Sequence, residues 1–175
     1  GRFWLGSVAD ELVHELNKPI LLVRPREGKA DLKHDAVVKT IVVPLDGTAL
    51  AEKVVESAVE SAKLFQASLL LVRVIKPVIR PSYIPEGSTV LGLTHSVLEQ
   101  IHTLQQQQQD EAKAYLEEVA KKIRASGIDV QTSVTIDEQP AVGIMLEAQA
   151  RHADLIVMET HARKGLTRLF LGSVA

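Results

Sequence analysis

Residues 158–175, MET-HARKGLTRLFLGSVA, hold the densest set of groups suited to chemistry in this chain. The apolar run from Asp154 to Val157 has the make-up of a buried strand and leads straight into this basic loop, after which Gly172-Ser173 forms a natural helix N-cap. Strand, basic loop and helix start together make an anion cradle. Free N–H groups and the positive end of a helix dipole suit a phosphate, and Arg163, Lys164 and Arg168 add charge beside them. A second stretch, Pro44-Leu45-Asp46-Gly47-Thr48, closes the apolar run Lys39 to Leu45. Asp46 has two readings: an acceptor for a base amino group or ribose hydroxyl, and a turn residue whose carboxylate serves the neighbouring backbone. His161 likewise reads either as a site group or as a plain exposed loop histidine. His95 and His102 stand seven apart on one helix face, a shared surface more than a metal pair.

The elements that must position these groups alternate regularly. Lys39 to Leu45 is a strand of the kind covered on both faces, and Thr48 caps a helix with Ala51, Val54, Val55, Ala58, Ala62 and Phe65 at helical spacing. Ala67 to Ile75 is the second strand, and Pro77 to Thr94 a flap-length excursion. A helix from His95 to Ser126 carries the stripe Ala112, Leu116, Val119 and Ile123, with Gly127 as its C′ residue and Gln105 to Gln109 as a solvated first half. Ile128 to Ile136 is strand three. Pro140 opens a helix with Ala141, Ile144, Met145 and Ala148 facing inward, and Asp154 to Met158 is strand four. This alternation predicts an α/β fold, an open doubly wound parallel five-stranded sheet in the Rossmann-like order 3-2-1-4-5. Ligands collect at the carboxyl ends of such strands, where the winding reverses; here strands one and four would bring the two chemistry-bearing loops together.

The fifth strand is expected from the other end of the chain. Residues 2–9 (RFWLGSVA) match residues 168–175 (RLFLGSVA) at six of eight positions. After the first copy a helix continues through Leu12, Val13 and Leu16, and Ile20 to Val23 reads as a short strand. Residues 1–25 are thus expected to be the helix-strand end of a preceding similar domain, 26–36 a linker, and 37–175 a domain lacking its own last helix and strand. The charged stretch from Arg24 to Val37 that contains this linker spans roughly 40 Å when extended, enough for residues 1–25 to complete this domain or, by a swap, a neighbouring copy.

Composition excludes several classes. With 20 Lys and Arg against 22 Asp and Glu, there is no basic footprint for nucleic acid or for a polybasic membrane surface. Six aromatic residues are too few for a base-stacking platform. No cysteine is present, which removes disulfides, thiolate metal sites and cysteine nucleophiles and fits a reducing, cytoplasmic setting. The apolar runs are strand-sized, so no membrane span is expected. P-loop, G-x-G-x-x-G, H-E-x-x-H and G-x-S-x-G signatures are all missing.

Together these stretches resemble the universal stress proteins. That family's phosphate loop, G-x2-G-x9-G-[ST], aligns with Glu159, Ala162, Gly172 and Ser173, and Val43-Pro44-Leu45-Asp46-Gly47-Thr48 is similar to its first strand and adenine-side Asp. The phrases DLIVM, THARKGL and LFLGSVA extend the likeness over residues 37–175. The resemblance implies an adenine nucleotide, ATP or AMP, resting on Pro44, Leu45, Asp46 and the backbone of Val74. Met158, Glu159, Thr160, His161, Ala162 and Arg163 would line the route to Gly172, Ser173 and Val174. Mg2+ or Mn2+ would be held through the phosphates, and a homodimer or domain-swapped oligomer is implied. Both early glycines of the loop are replaced, by Glu159 and Ala162, which sets a carboxylate toward polyphosphate.

Three readings follow. The first is a nucleotide-binding regulatory module with at most slow ATP hydrolysis, since no base is placed for water and no arginine acts in trans. The second is a nucleotide-free dimerisation or interaction module with a degenerate loop. The third is an enzyme of related architecture with His161 or Asp46 as base.

Overall fold

The computed structural model describes Ile20, residues 37–79 and residues 95–159. The expected N-terminal helix, the linker, the flap beyond residue 79 and the loop from Thr160 onward lie outside the described residues.

Strands β1 (Thr40–Pro44), β2 (Ser68–Ile75), β3 (Val130–Ile136) and β4 (Leu155–Ile156) alternate with helices α1 (Ala49–Glu52), α2 (Val54–Phe65), α3 (His95–Arg124) and α4 (Pro140–Ala150). All strand pairs are parallel, in the order β3-β2-β1-β4. This is the expected arrangement of the first four strands. The sheet described has four strands instead of five: Ile20 belongs to no strand, and the rest of the proposed fifth strand, 21–23, lies outside the described residues.

Parallel strands covered on both faces need apolar residues at consecutive positions, and β1 has them over 41–44 and β2 over 69–72. Ile41, Val42 and Val43 are fully buried. Odd-numbered Ile41, Val43, Leu69 and Leu71 pack with Val54, Ala58 and Ala62 of α2 and Leu116, Val119, Ala120 and Ile123 of α3. Even-numbered Val42, Leu70 and Val72 meet Ile144 and Ala148 of α4 on the other face. At the amino end of the sheet Asp154 joins β4 to β1 through its side chain, its carboxylate accepting from the N–H groups of Lys39 (2.8 Å) and Thr40 (3.2 Å).

Several expectations are corrected. The single helix after Thr48 is two, broken at Lys53, whose N–H reaches back to the Leu50 carbonyl at 3.0 Å and so tightens the turn. Phe65 is exposed, because the helix ends there and Gln66 turns into the left-handed region (φ 54°). Met145 is exposed too, since α4 turns Gly143, Ile144 and Ala148 to the sheet. Gln105 is half-buried instead of solvated, its Oε1 accepting from Val78 N–H at 2.9 Å.

Strand four is only Leu155–Ile156, shorter than the expected Asp154 to Met158. The ladder gives the reason. β1 residues with even numbers turn their backbone groups to β4, as when Val157 N–H donates to the Val42 carbonyl at 2.9 Å. The next even residue is Pro44, which has no N–H to return to the Val157 carbonyl, so pairing stops.

Candidate functional site

The end of the β1–β4 pairing is where the site is built. Past Pro44 the β1–β4 ladder ends, and the position between the carboxyl ends of these two strands is the crevice in which open α/β sheets take ligands. Continued in step from Val42 and Ile156, the register sets Pro44 level with half-buried Met158 and Leu45 level with exposed Glu159. On the opposite side β2 runs further than β1. Pro44 pairs with Val72, and Leu45 N–H donates to the Val72 carbonyl at 2.8 Å. Alternation turns the N–H and carbonyl of Val74 to the same side as those of Val72, toward the space where β1 has ended.

Leu45 is 2% exposed and belongs to the core, so contact with a ligand in this crevice falls to Pro44 and Asp46 on either side of it. The side chain of Val74 packs on the α4 face, which leaves its backbone for the crevice.

Asp46 follows the strand in an exposed turn. Its Oδ1 accepts from Thr48 N–H at 2.9 Å and from Thr48 Oγ1–H at 2.6 Å, while Thr48 Oγ1 accepts from Ala51 N–H at 3.2 Å and caps α1. The turn role of Asp46 is therefore real. It also holds the carboxylate just past the carboxyl end of β1. Gly47 between them has φ +87°, a conformation that side chains resist.

Beneath this turn lies a group of residues that sequence reasoning missed. The guanidinium of Arg73 packs under Gly47, and its Cζ lies 5.0 Å from the centroid of the Tyr115 ring. Tyr115 Oη donates to Glu52 Oε1 at 3.0 Å. Burial and the hydrogen bond to Glu52 push the Tyr115 hydroxyl up to about 12, with Asp46 adding to the rise and Arg73 opposing it. The available signal was an arginine interrupting the run SLLLVRVI on the face that carries Leu69 and Leu71.

Of the sequence-predicted residues, Pro44, Asp46, Val74 and Met158 come to one end of three adjacent strands, with Glu159 next in the chain. Thr160, His161, Ala162, Arg163, Gly172, Ser173 and Val174 lie outside the described residues. Among the described residues no group of three or more His, Cys, Asp or Glu side chains is placed to hold a metal ion, and no helix is long and apolar enough to cross a membrane.

A parallel α/β sheet in the order β3-β2-β1-β4, with helices on both faces, defines the class of open, doubly wound domains. The comparisons with known proteins then give the family. The model of the universal stress protein family matches residues 38–175, and the chain belongs to that family. It is 32% identical over 138 residues to universal stress protein MJ0531 of Methanocaldococcus jannaschii, covering 78% of this chain and 73% of the relative. Among solved structures it is similar to universal stress protein UspA from Lactobacillus plantarum, with a TM-score of 0.60, 21% identity and coverage of 80% of this chain and 89% of that one. A universal stress protein solved in complex with cAMP gives a TM-score of 0.53 at 20% identity, covering 79% and 88%.

Proposed function

We propose that this chain is an adenine-nucleotide-binding regulatory module without efficient catalysis. The observation that supports the reading is the end of the β1–β4 ladder at Pro44, with the exposed Asp46 carboxylate two residues further on and the Val74 backbone at the same end of the neighbouring strand. These groups suit the adenosine side of a nucleotide: a carboxylate for ribose hydroxyls or an amino group, and backbone polar groups for a base edge. That a related universal stress protein was solved with cAMP supports the same ligand class. ATP or AMP would rest on Pro44, Asp46, Val74 and Met158. Thr160, His161, Ala162, Arg163, Gly172, Ser173 and Val174 would take the phosphates, and Mg2+ or Mn2+ would join through phosphate oxygens. Residues 1–25 would supply the last helix and strand, to this domain or to a second copy as a swapped dimer.

A nucleotide-free interaction module is the competing reading, and one observation favours it. Glu159 is exposed at the end of β4, where its carboxylate repels a polyphosphate approaching the strand ends.

Mass spectrometry of acid-released ligand, with calorimetric titration of AMP and ATP with and without Mg2+, decides between them. Near-stoichiometric nucleotide or micromolar binding is the expected result, with Glu159→Gly plus Ala162→Gly tightening ATP. Clean protein and no heat at millimolar nucleotide, unchanged in the double variant, would refute the nucleotide reading and favour the interaction module.

A further inference from the structure

We infer that Arg73 is a positioning residue for Asp46: wedged between Gly47 and the Tyr115 ring, its guanidinium holds the Asp46-Gly47-Thr48 turn in its site-forming shape. The part of this that concerns nucleotide affinity rests on the reading above; the part that concerns the turn does not.

Arg73 follows Leu69 and Leu71 on the inward face of β2, where a charged side chain is costly unless it finds partners. It finds two surfaces. One is the Tyr115 ring, whose negative face attracts the cation lying 5.0 Å from its centroid. The other is Gly47. A Cβ built there would stand 3.2 Å from Nη2 and 3.3 Å from Cζ and Nη1, tight contacts that would push the guanidinium down by a few tenths of an ångström, so glycine gives it the closest approach to the turn. Gly47 thus answers two demands at once, its positive φ and the space for Arg73.

The contacts close into a ring. Tyr115, on α3, donates to Glu52 at the end of α1. At the start of α1, Thr48 caps Ala51 N–H and donates its hydroxyl to Asp46. Gly47, between Asp46 and Thr48, lies on Arg73, which returns to Tyr115. A helix of only four residues has little stability of its own, so α1 and the turn that starts it depend on being held from outside. The ring supplies that hold from two neighbouring elements, β2 below and α3 at the far end. An ammonium cannot replace the guanidinium, because the gap between Gly47 and the ring is filled by a flat group.

The test compares wild type with Arg73→Met and Arg73→Lys by amide hydrogen exchange, first without ligand. Exchange at Ala51 and Glu52 is expected to speed up at least about fivefold in both variants, while core amides such as Val42 and Leu70 keep their wild-type rates. Unchanged exchange at Ala51 and Glu52 would overturn the wedge. So would acceleration spread evenly through the core, which marks a merely structural residue, and so would wild-type rates in Arg73→Lys. Calorimetry with AMP is then run on wild type, Arg73→Met, Asp46→Ala and the double variant. A loss of about tenfold from Arg73→Met that vanishes in the Asp46→Ala background is expected, the signature of two residues that act as one unit. Equal losses in both backgrounds would mean that Arg73 does not act through Asp46. A wild type that binds no AMP would instead refute the nucleotide reading, and the exchange rates alone would then decide the wedge.

Discussion

Gly143 offers a prediction in which two opposing effects can be weighed. It sits inside α4, where replacement of glycine by alanine normally stabilises a helix by about 1 kcal/mol. Here the new methyl would stand 2.9 and 3.0 Å from the two Val74 methyls and 3.2 Å from Asp137 Cβ. A contact below 3.0 Å cannot persist and one at 3.0 Å is already tight, and Val74, β-branched and stiff at χ1, cannot turn both methyls away. Overpacking of this kind costs about 1–3 kcal/mol, and three crowded contacts favour the upper half of that range. Gly143→Ala is therefore expected to destabilise by about 1–2 kcal/mol in urea unfolding, with the m-value unchanged. With Val74→Ala both methyls are gone and only the Asp137 contact remains. In that background Gly143→Ala should become neutral or stabilising by up to about 1 kcal/mol, a coupling near ~2 kcal/mol. A Gly143→Ala protein that is more stable than wild type, or a coupling under about 0.5 kcal/mol, would refute the claim that α4 rests on Val74 at this distance.

Three more perturbations bear on the site and its frame. Asp46→Ala removes the acceptor for Thr48 N–H and Oγ1–H, and is expected to cost about 1 kcal/mol in urea unfolding, as loss of a cap does, and to weaken AMP in calorimetry. Tyr115 has its hydroxyl pKa raised from 10.0 to about 12 in the folded protein, so the stability this contributes is full below pH 10 and lost as pH rises from 10 through 12. Two units at 1.36 kcal/mol each, reduced for solvent screening, give a fall of about 1 kcal/mol, which urea titrations across that range should show and Tyr115→Phe should abolish. Glu117 is held below its ordinary 4.5 by hydrogen bonds from Arg124 and Thr132, so its contribution is present above pH 4.5 and lost as pH falls below it; Glu117→Gln should flatten that acid slope.

Much of this fold is legible in the sequence because β1 and β2 are apolar at consecutive positions and each helix of any length has its own stripe. α4 is the exception. It is apolar around most of its circumference, so periodicity cannot choose a face; the choice is made by Gly143, which lets its side approach the sheet and leaves Met145 exposed. The break at Lys53 leaves no mark either, since lysine is a good helix former and the change is only one tightened turn. At the site, Asp46 stands out because a strand ending in Asp-Gly-Thr demands a turn, whereas Val74 and Met158 came through family resemblance. Arg73, Tyr115 and Glu52 were not legible: they come from β2, α3 and α1, and no spacing relates them. The one clue is a charge at an inward strand position, which says that a partner exists without saying where.

The pairing of β1 with β4 has a consequence for the order of events in folding. The Asp154 carboxylate reaches N–H groups 114 and 115 residues earlier, and the crevice past Pro44 is formed by that same pair of strands. Contacts of such long separation close late, after the loop entropy of everything between has been met by β2, β3 and their helices. On the function proposed above, ligand competence would be a property of the finished domain. A ligand seated between these strands binds no partly folded chain and pulls the last closure forward by mass action, so its stabilisation should appear in the unfolding rate of the complete protein before it appears anywhere along the route to it.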